Sequence, residues 1–181
     1  VYGNGDLWVG IQMNDDYSDS NKLHKIDPIN KTVKETYEIG FGPTDIEING
    51  KSIYVANTYY DSNYNAFYGS TQLDSDSSQI SINNYGPGVV CGGDVLILNN
   101  EIYRSFSGGI AKLSEDLEII EETKIGDFPP SQLYASETND DKIYFALTNF
   151  TDVNVVKVYD QENNELSSYE VGIIPGDFAF W

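Results

Sequence analysis

The sequence has very little cysteine and histidine. Cys91 is the only cysteine and His24 the only histidine among 181 residues. One cysteine excludes an intrachain disulfide and a thiolate zinc site, and one histidine disfavours a histidine-based metal site and a Ser-His-Asp triad. Cys91 stands in an apolar, glycine-rich stretch, which favours a small buried thiol over a nucleophile. The alternation of residues around His24 favours a structural position in a strand.

Positive charge is also scarce. Ten lysines and arginines stand against 29 aspartates and glutamates, so the formal net charge is −19 and the isoelectric point is about 4.1. This charge argues against binding to nucleic acid and to anionic membrane surfaces, because both are negatively charged themselves. No apolar run approaches the roughly 18 residues that a transmembrane helix needs, so direct membrane insertion is not expected.

Aromatic residues, in contrast, are abundant. The chain has 14 Tyr, 8 Phe and 2 Trp. They provide the apolar area that acidic disordered chains lack, and the length fits one folded domain.

The sequence contains four copies of one repeat. An apolar residue followed by an aromatic one recurs at spacings of 46, 49 and 41 residues. A strand ending in a polar turn follows each pair, and a stretch that closes on glycine follows the turn. The pairs are Leu7-Trp8, Ile53-Tyr54, Ile102-Tyr103 and Ile143-Tyr144, the turns begin at Asp27, Asp74, Ser114 and Asp160, and the glycines are Gly40, Gly86, Gly126 and Gly172. A repeat of this length indicates a modular fold.

Each repeat is predicted to contain four short strands, A to D. Asn49-Gly50 is a type I′ hairpin signal between strands A and B, and Asp27-Pro28-Ile29-Asn30 is a turn signal between C and D. Strand B, for example Ser52 to Ala56, is apolar on both faces, which indicates a sheet covered on both sides. These features predict an all-β protein, a β-propeller of four-stranded antiparallel blades with four blades in this chain. A β-sandwich is the alternative, but it predicts no fixed repeat length.

The predicted organisation is a single propeller domain or a four-blade fragment. Its repeats cover approximately 1–44, 45–93, 94–131 and 132–176, followed by a closing strand at 177–181. That strand is expected either to pair with the N-terminal B strand, closing a ring of four blades or of eight blades from two chains, or to belong to a longer ring with missing blades. Exposed edges in the second case would be prone to pairing.

Several segments resemble a known family. The segment IYVANT at 53–58 looks like the YVTN signature of YncE-like surface-layer propellers, and KIDP at 25–28 and GFGPTD at 40–45 match further elements of those repeats. The segment 174–181 is similar to the ending of DUF5074-type Bacteroidetes propellers, which include surface lipoproteins that capture vitamin B12. The resemblance implies a secreted or cell-surface propeller that binds a ligand. Those propellers usually have seven blades, whereas four repeats are present here.

One face of the predicted propeller carries the candidate binding site. The loops between strands D and A and between B and C share this face, and aromatic side chains concentrate in them. Ring faces stack on sugars or flat ring ligands, so the expected partners are a small molecule, a glycan, a cobalamin-like ligand or a surface protein. The alternative is that these side chains pack the loops onto the blade ends. The residues are Phe41, Tyr59, Tyr60, Phe106, Phe128 and Phe150.

Two groups of carboxylates are candidate cation ligands. Asp15, Asp16 and Asp19 lie in an oxygen-rich loop that is the best calcium candidate, although a solvated polar loop is the alternative. The recurring Asp45, Asp94 and Asp177 are expected either to form a ring of carboxylates that holds a cation or to cap their own strands. Strand capping is favoured for this second group.

The sequence thus favours a non-catalytic, extracytoplasmic binding propeller. One alternative is a propeller enzyme of the lyase or lactonase type that uses a channel metal bound by carboxylates. The other is an assembly scaffold, or homo-oligomer, that pairs through blade edges.

Overall fold

A computed structural model describes residues 1–88, 93–152 and 154–180 of the chain. These residues form sixteen strands, and none of them lies in a helix able to cross a bilayer. The chain divides into two compact units, Val1–Gly88 and Val89–Trp181. The strands of the first unit are β1 Tyr2–Gly3, β2 Asp6–Met13, β3 Asp19–Asp27, β4 Thr32–Glu38, β5 Pro43–Asn49, β6 Ser52–Tyr60, β7 Ala66–Asp74 and β8 Ile80–Pro87. Those of the second are β9 Val95–Leu98, β10 Glu101–Phe106, β11 Gly109–Leu113, β12 Ile119–Ile125, β13 Leu133–Asn139, β14 Lys142–Leu147, β15 Asn154–Tyr159 and β16 Glu165–Val171.

Four consecutive strands make each sheet. In the first unit the orders are β1-β2-β3-β4 and β5-β6-β7-β8, and in the second they are β9-β10-β11-β12 and β13-β14-β15-β16. All neighbouring strands are antiparallel. The predicted all-β class, with four strands in each of four sheets, is therefore confirmed.

The polar turns between the third and fourth strands of the sheets are capped by their own first side chain. Asp27 Oδ1 accepts hydrogen bonds from the backbone N–H of Ile29 (2.9 Å) and Asn30 (3.0 Å). Carboxylate or hydroxyl oxygens of Asp74, Ser114 and Asp160 accept equivalent bonds from residues two to four positions ahead. The turn residues identified in the sequence therefore act by the expected mechanism.

One predicted turn type is wrong. Asn49 pairs with Ser52, so the two turn residues are Gly50 and Lys51 rather than Asn49 and Gly50. Gly50 has a φ of +61° at the first turn position, where a type II′ hairpin places glycine.

The core of the first unit lies between its two sheets. Trp8 and Leu23 from the first sheet are buried against Ile53, Val55 and Leu73 from the second. Each such side chain stabilises the fold by about 1.5–3 kcal/mol through removal from water. Packing of the two sheets thus accounts for the apolar B strand of the sequence.

The second unit has a core of its own. Leu96 and Ile110 from one sheet pack in a cluster with Leu133, Ile143 and Phe145 from the other. The two sheets are also joined by polar contacts, which are described with the aspartates below.

The ends of the chain differ from each other in structure. At the N-terminus, Val1 continues the pairing of β1 through hydrogen bonds with Trp8. At the C-terminus, residues 172–180 include no strand, and the rings of Phe178 and Phe180 pack on Tyr144 with centroid distances of 6.0 and 4.9 Å. Residues 177–180 are thus not part of one of the sixteen strands, and Trp181 lies outside the described residues. Closure through the two ends stays a prediction.

Two further sequence predictions concern single residues. His24 lies in β3, and its Nδ1 is 2.8 Å from Thr36 Oγ1 on the neighbouring strand, as a structural position in a strand requires. Cys91 lies outside the described residues, so the prediction of a buried thiol stays a prediction.

Candidate functional site

The first unit contains a cavity of about 190 Å³. It lies where the chain leaves the first sheet and enters the second, and the last three strands of the second sheet provide most of its wall. None of its lining side chains carries a charge. The lining residues are Ile39, Gly40, Phe41, Asn57, Tyr59, Gly69, Ile82, Asn83 and Asn84.

A buried hydrogen-bond network fixes one side of this cavity. The Asn57 side chain is 2% exposed, and its Nδ2 donates to the Gly40 carbonyl at 2.9 Å. Thr71 Oγ1 donates to Asn57 Oδ1 at 2.8 Å and accepts from the Gly40 N–H at 3.1 Å. A Cβ at Gly40 would lie 2.8 Å from Asn57 Oδ1, so the close approach requires glycine. The network therefore holds the connecting segment against β6 and β7.

Aromatic rings form another side of the cavity. The Tyr59 ring stacks on Phe67, with centroids 5.5 Å apart, and its centroid is 6.1 Å from that of Phe41. The Tyr59 hydroxyl accepts a hydrogen bond from Asn84 Nδ2. Phe41 is 50% exposed, so this ring is available at the mouth of the cavity. The structure thus brings together two of the six aromatic residues predicted to bind a ligand.

Tyr59 and Tyr60 lie in a strand and not in the loop that was predicted from the sequence. They are the last two residues of β6 and pair with Phe67 and Ala66 of β7. Cross-strand pairs of large side chains favour strand structure, and here they extend the hairpin to a loop of five residues, 61–65. Tyr60 is exposed, does not line the cavity, and donates its backbone N–H to Asp19 Oδ2 at 3.0 Å.

The remaining three predicted aromatic residues belong to the second unit. The Phe128 ring packs against Phe145, with centroids 5.2 Å apart, and takes part in the core of that unit. Phe150 contacts Tyr134 edge-on at 5.9 Å and is 48% exposed. Phe106 ends β10, and its exposure is intermediate. For Phe128 and Phe150, packing of loops onto the sheets describes the observed contacts.

The recurring aspartates bind backbone groups. Asp45 and Asp177 each accept a hydrogen bond of 2.8 Å from the N–H of the next residue. Asp94 Oδ2 accepts bonds of 2.6 and 2.8 Å from the N–H and hydroxyl of Ser136, which joins the two sheets of the second unit. Only the Asp45 bond lies within its own strand, as strand capping requires, whereas Asp94 binds a residue of another sheet and Asp177 lies outside the strands.

The candidate calcium loop is held by its own hydrogen bonds. Asp16 Oδ1 accepts from the N–H and the hydroxyl of Ser18, and these bonds lower the pKa of Asp16. Asp19 accepts the bond from Tyr60 described above. Within 1–88, 93–152 and 154–180, no three or more His, Cys, Asp or Glu side chains are grouped so that they could hold a metal ion. The structure therefore does not assemble Asp15, Asp16 and Asp19 into a metal site.

Sequence reasoning missed two polar residues of the first unit and one of the second. Asn57 interrupts the apolar B strand, and this interruption is the signal that could have revealed its role. Asn84 gives no comparable signal. Arg104, the only arginine, is completely buried, and its Nη1 donates to the Asp94 carbonyl at 3.1 Å.

Comparison with known proteins shows the fold. No family model matches the chain, and no curated protein is similar to it. Hydrazine synthase of Kuenenia stuttgartiensis is similar in structure, with a TM-score of 0.67, 14% identity, and coverage of 92% of this chain and 46% of that chain. Apo AztD from Citrobacter koseri matches with a TM-score of 0.42 and 14% identity, covering 84% of this chain and 44% of that one. The chain thus spans less than half the length of either structure.

The hydrazine synthase contains a β-propeller, and its match covers nearly all of the present chain. The four antiparallel sheets are consistent with the blades of a β-propeller. An identity of 14% carries no information on the ligand or the reaction.

Proposed function

We propose that this chain is a non-catalytic binding module that holds a small, uncharged molecule in the cavity between Phe41 and Tyr59. The observation that carries the proposal is a formed cavity in which two aromatic rings stand beside a fixed polar network. Small-molecule sites are concave, largely apolar and have a few positioned polar groups. The cavity of the first unit has each of these properties.

The lining residues favour binding over catalysis. General acid–base chemistry requires a positioned group that titrates near the working pH. None of the nine residues that line the cavity is a His, Asp, Glu, Lys or Cys, the side chains that perform most of this chemistry. The lyase or lactonase hypothesis and the scaffold hypothesis stay predictions from the sequence.

The size of the cavity limits what enters it. Sites for drug-sized ligands usually measure about 300–1,000 Å³, and this cavity measures about 190 Å³. It therefore suits a single small ring or one edge of a larger ligand. A cobalamin-like molecule or a glycan would place only one of its groups inside.

The resemblance of segments 53–58 and 174–181 to YncE-like and DUF5074-type propellers supports a more specific assignment. We assign the chain to that group, as an extracytoplasmic protein of the bacterial cell surface or a secreted one. A soluble small molecule in that compartment is the partner that fits both the resemblance and the cavity.

A fragment screen by NMR tests the proposed function. Uncharged ring and sugar fragments are added to the isotope-labelled chain, and the backbone amide signals of Gly40 and Gly69 report on the cavity. We expect at least one fragment to shift both signals, and Phe41→Ala to abolish the shift. Phe150→Ala is the matched control, because Phe150 is equally exposed and packs on one aromatic ring as Phe41 does. A screen in which no fragment shifts either signal contradicts the proposal.

A further inference from the structure

The amide side chains around the cavity are already engaged within the protein. Asn57 uses its Nδ2 on Gly40 and its Oδ1 on Thr71. Asn84 accepts from the Gly86 N–H at 2.9 Å and donates to the Tyr59 hydroxyl. Asn83, the third amide, also has an interaction partner of its own. These bonds fix the orientation of the Asn57 and Asn84 amides, which therefore shape the cavity.

The Tyr59 hydroxyl is a polar group of the lining that can bind a ligand. A phenol can accept a hydrogen bond and donate its own proton. Because the Tyr59 oxygen accepts from Asn84, its proton is directed to another acceptor. The hydroxyl therefore offers a ligand one oriented donor.

The rest of the wall is apolar. Ile39 is buried beneath the cavity, Ile82 is more than half exposed at its rim, and the Phe41 ring stands at its mouth. A flat ring can lie against the Phe41 ring in an offset or edge-on arrangement, which adds attraction beyond the buried area. A charged group would find no opposite charge on these walls, and burial of an unpaired charge is strongly unfavourable.

We infer that the ligand group that enters this cavity is an uncharged, flat, single ring that carries one hydrogen-bond acceptor. This inference rests on the proposed function and narrows it. A dry cavity of about 150 Å³ takes one benzene molecule, so about 190 Å³ accommodates one substituted ring. A pyranose fits less well, because each of its hydroxyls needs a partner when buried and the lining has only four polar side chains.

The test is an NMR titration of the labelled chain with acetophenone, ethylbenzene and N-acetylglucosamine, read at the amides of Gly69 and Ile82. Acetophenone and ethylbenzene are nearly equal in size, but only acetophenone has an acceptor. We expect acetophenone to bind about three to ten times more tightly than ethylbenzene, the range that one hydrogen bond gives. N-acetylglucosamine is expected to leave both signals unchanged.

Two variants and one control show which side chains bind the ring and which bind its acceptor. Phe41→Ala is expected to weaken the binding of both aromatic probes. The control Phe150→Ala is expected to leave the binding of both unchanged. The double variant Tyr59→Phe with Asn84→Leu removes the hydroxyl and also the amide that could replace it. In this variant the preference for acetophenone over ethylbenzene is expected to disappear. Thermal unfolding of each variant confirms that it is folded.

Each other outcome has a definite meaning. Equal binding of the two aromatic probes contradicts the acceptor requirement. Tighter binding of N-acetylglucosamine overturns the ring inference but leaves the binding function in place. If acetophenone does not shift the signals, the ring inference fails, and the fragment screen then decides separately whether the proposed function fails with it.

Discussion

Asn57 Nδ2 lies 2.9 Å from the Gly40 carbonyl oxygen and fastens the segment between the two sheets of the first unit to β6. Replacement by alanine would leave the Gly40 carbonyl and the Thr71 hydroxyl without this partner in a buried site. We expect Asn57→Ala to lower the free energy of unfolding by about 1–3 kcal/mol. Urea denaturation measures the loss.

Asn63→Ala is the control for this prediction. Asn63 lies in the exposed loop 61–65, and in the described contacts only its backbone N–H is hydrogen-bonded. A surface substitution of this kind is expected to change the free energy of unfolding by no more than about 0.5 kcal/mol. A loss of the same small size for Asn57→Ala would show that the network does not stabilise the fold.

Gly42 and Gly50 share a positive φ but differ in their surroundings. Their φ values are +63° and +61°, yet a Cβ at Gly42 would lie 1.8 Å from the Thr58 carbonyl oxygen, whereas a Cβ at Gly50 would have open space. Gly50→Ala is expected to cost about 1–2 kcal/mol through its backbone conformation alone. Gly42→Ala adds a backbone clash, so we expect a clearly larger loss of unfolding free energy. Equal losses in urea denaturation would refute the clash.

Acid is expected to destabilise the protein through its capped turns. Hydrogen bonds from the turn residues lower the pKa of Asp27, Asp74 and Asp160 in the folded state. A lowered folded-state pKa gives stability that is present at neutral pH and is lost as the pH falls below about 4. The melting temperature should therefore decline in that range.

Exchange of these three aspartates for asparagine isolates the effect. Asparagine can accept the same backbone bonds at the turn but does not titrate. The triple variant is expected to show a shallower fall of melting temperature as the pH falls from about 4 through the lowered pKa of these carboxyls. An unchanged slope would assign acid sensitivity to other carboxylates.

Calcium is expected to have little effect on the melting temperature. Asp16 and Asp19 already accept hydrogen bonds from Ser18 and Tyr60, and the described residues contain no suitable group of ligands. Calorimetry with added calcium and with a chelator measures this directly. A rise with calcium that Asp15→Asn together with Asp16→Asn removes would restore the calcium hypothesis.

The sheets were predictable because their signals are local. A turn such as the one that begins at Asp27 binds its own backbone within four residues, and the apolar strand at 52–56 shows its two-sided burial directly in its composition. Phe41 and Tyr59 could be identified as candidates because the repeat places their segments at the same end of adjacent sheets.

The site itself was less predictable because its contacts depend on strand register. Asn57 binds a carbonyl 17 residues earlier, and Asn84 binds a hydroxyl 25 residues earlier. The length of β6 was also underestimated, because the pairing of Tyr59 with Phe67 became visible only with the register of the hairpin. The polar Asn57 in an apolar strand is visible in the sequence, but no pattern along the chain identifies the partner that it binds.

The hydrogen bond between Gly40 and Asn57 couples ligand binding in the cavity to the stability of the first unit. Gly40 and Asn57 line the cavity and also hold the two sheets of the first unit together, so separation of those sheets destroys the binding site. A ligand therefore binds only while the two sheets are packed together, and its binding free energy opposes their separation. Slower hydrogen exchange at the Gly40 amide, which donates to Thr71, would show that the cavity is filled.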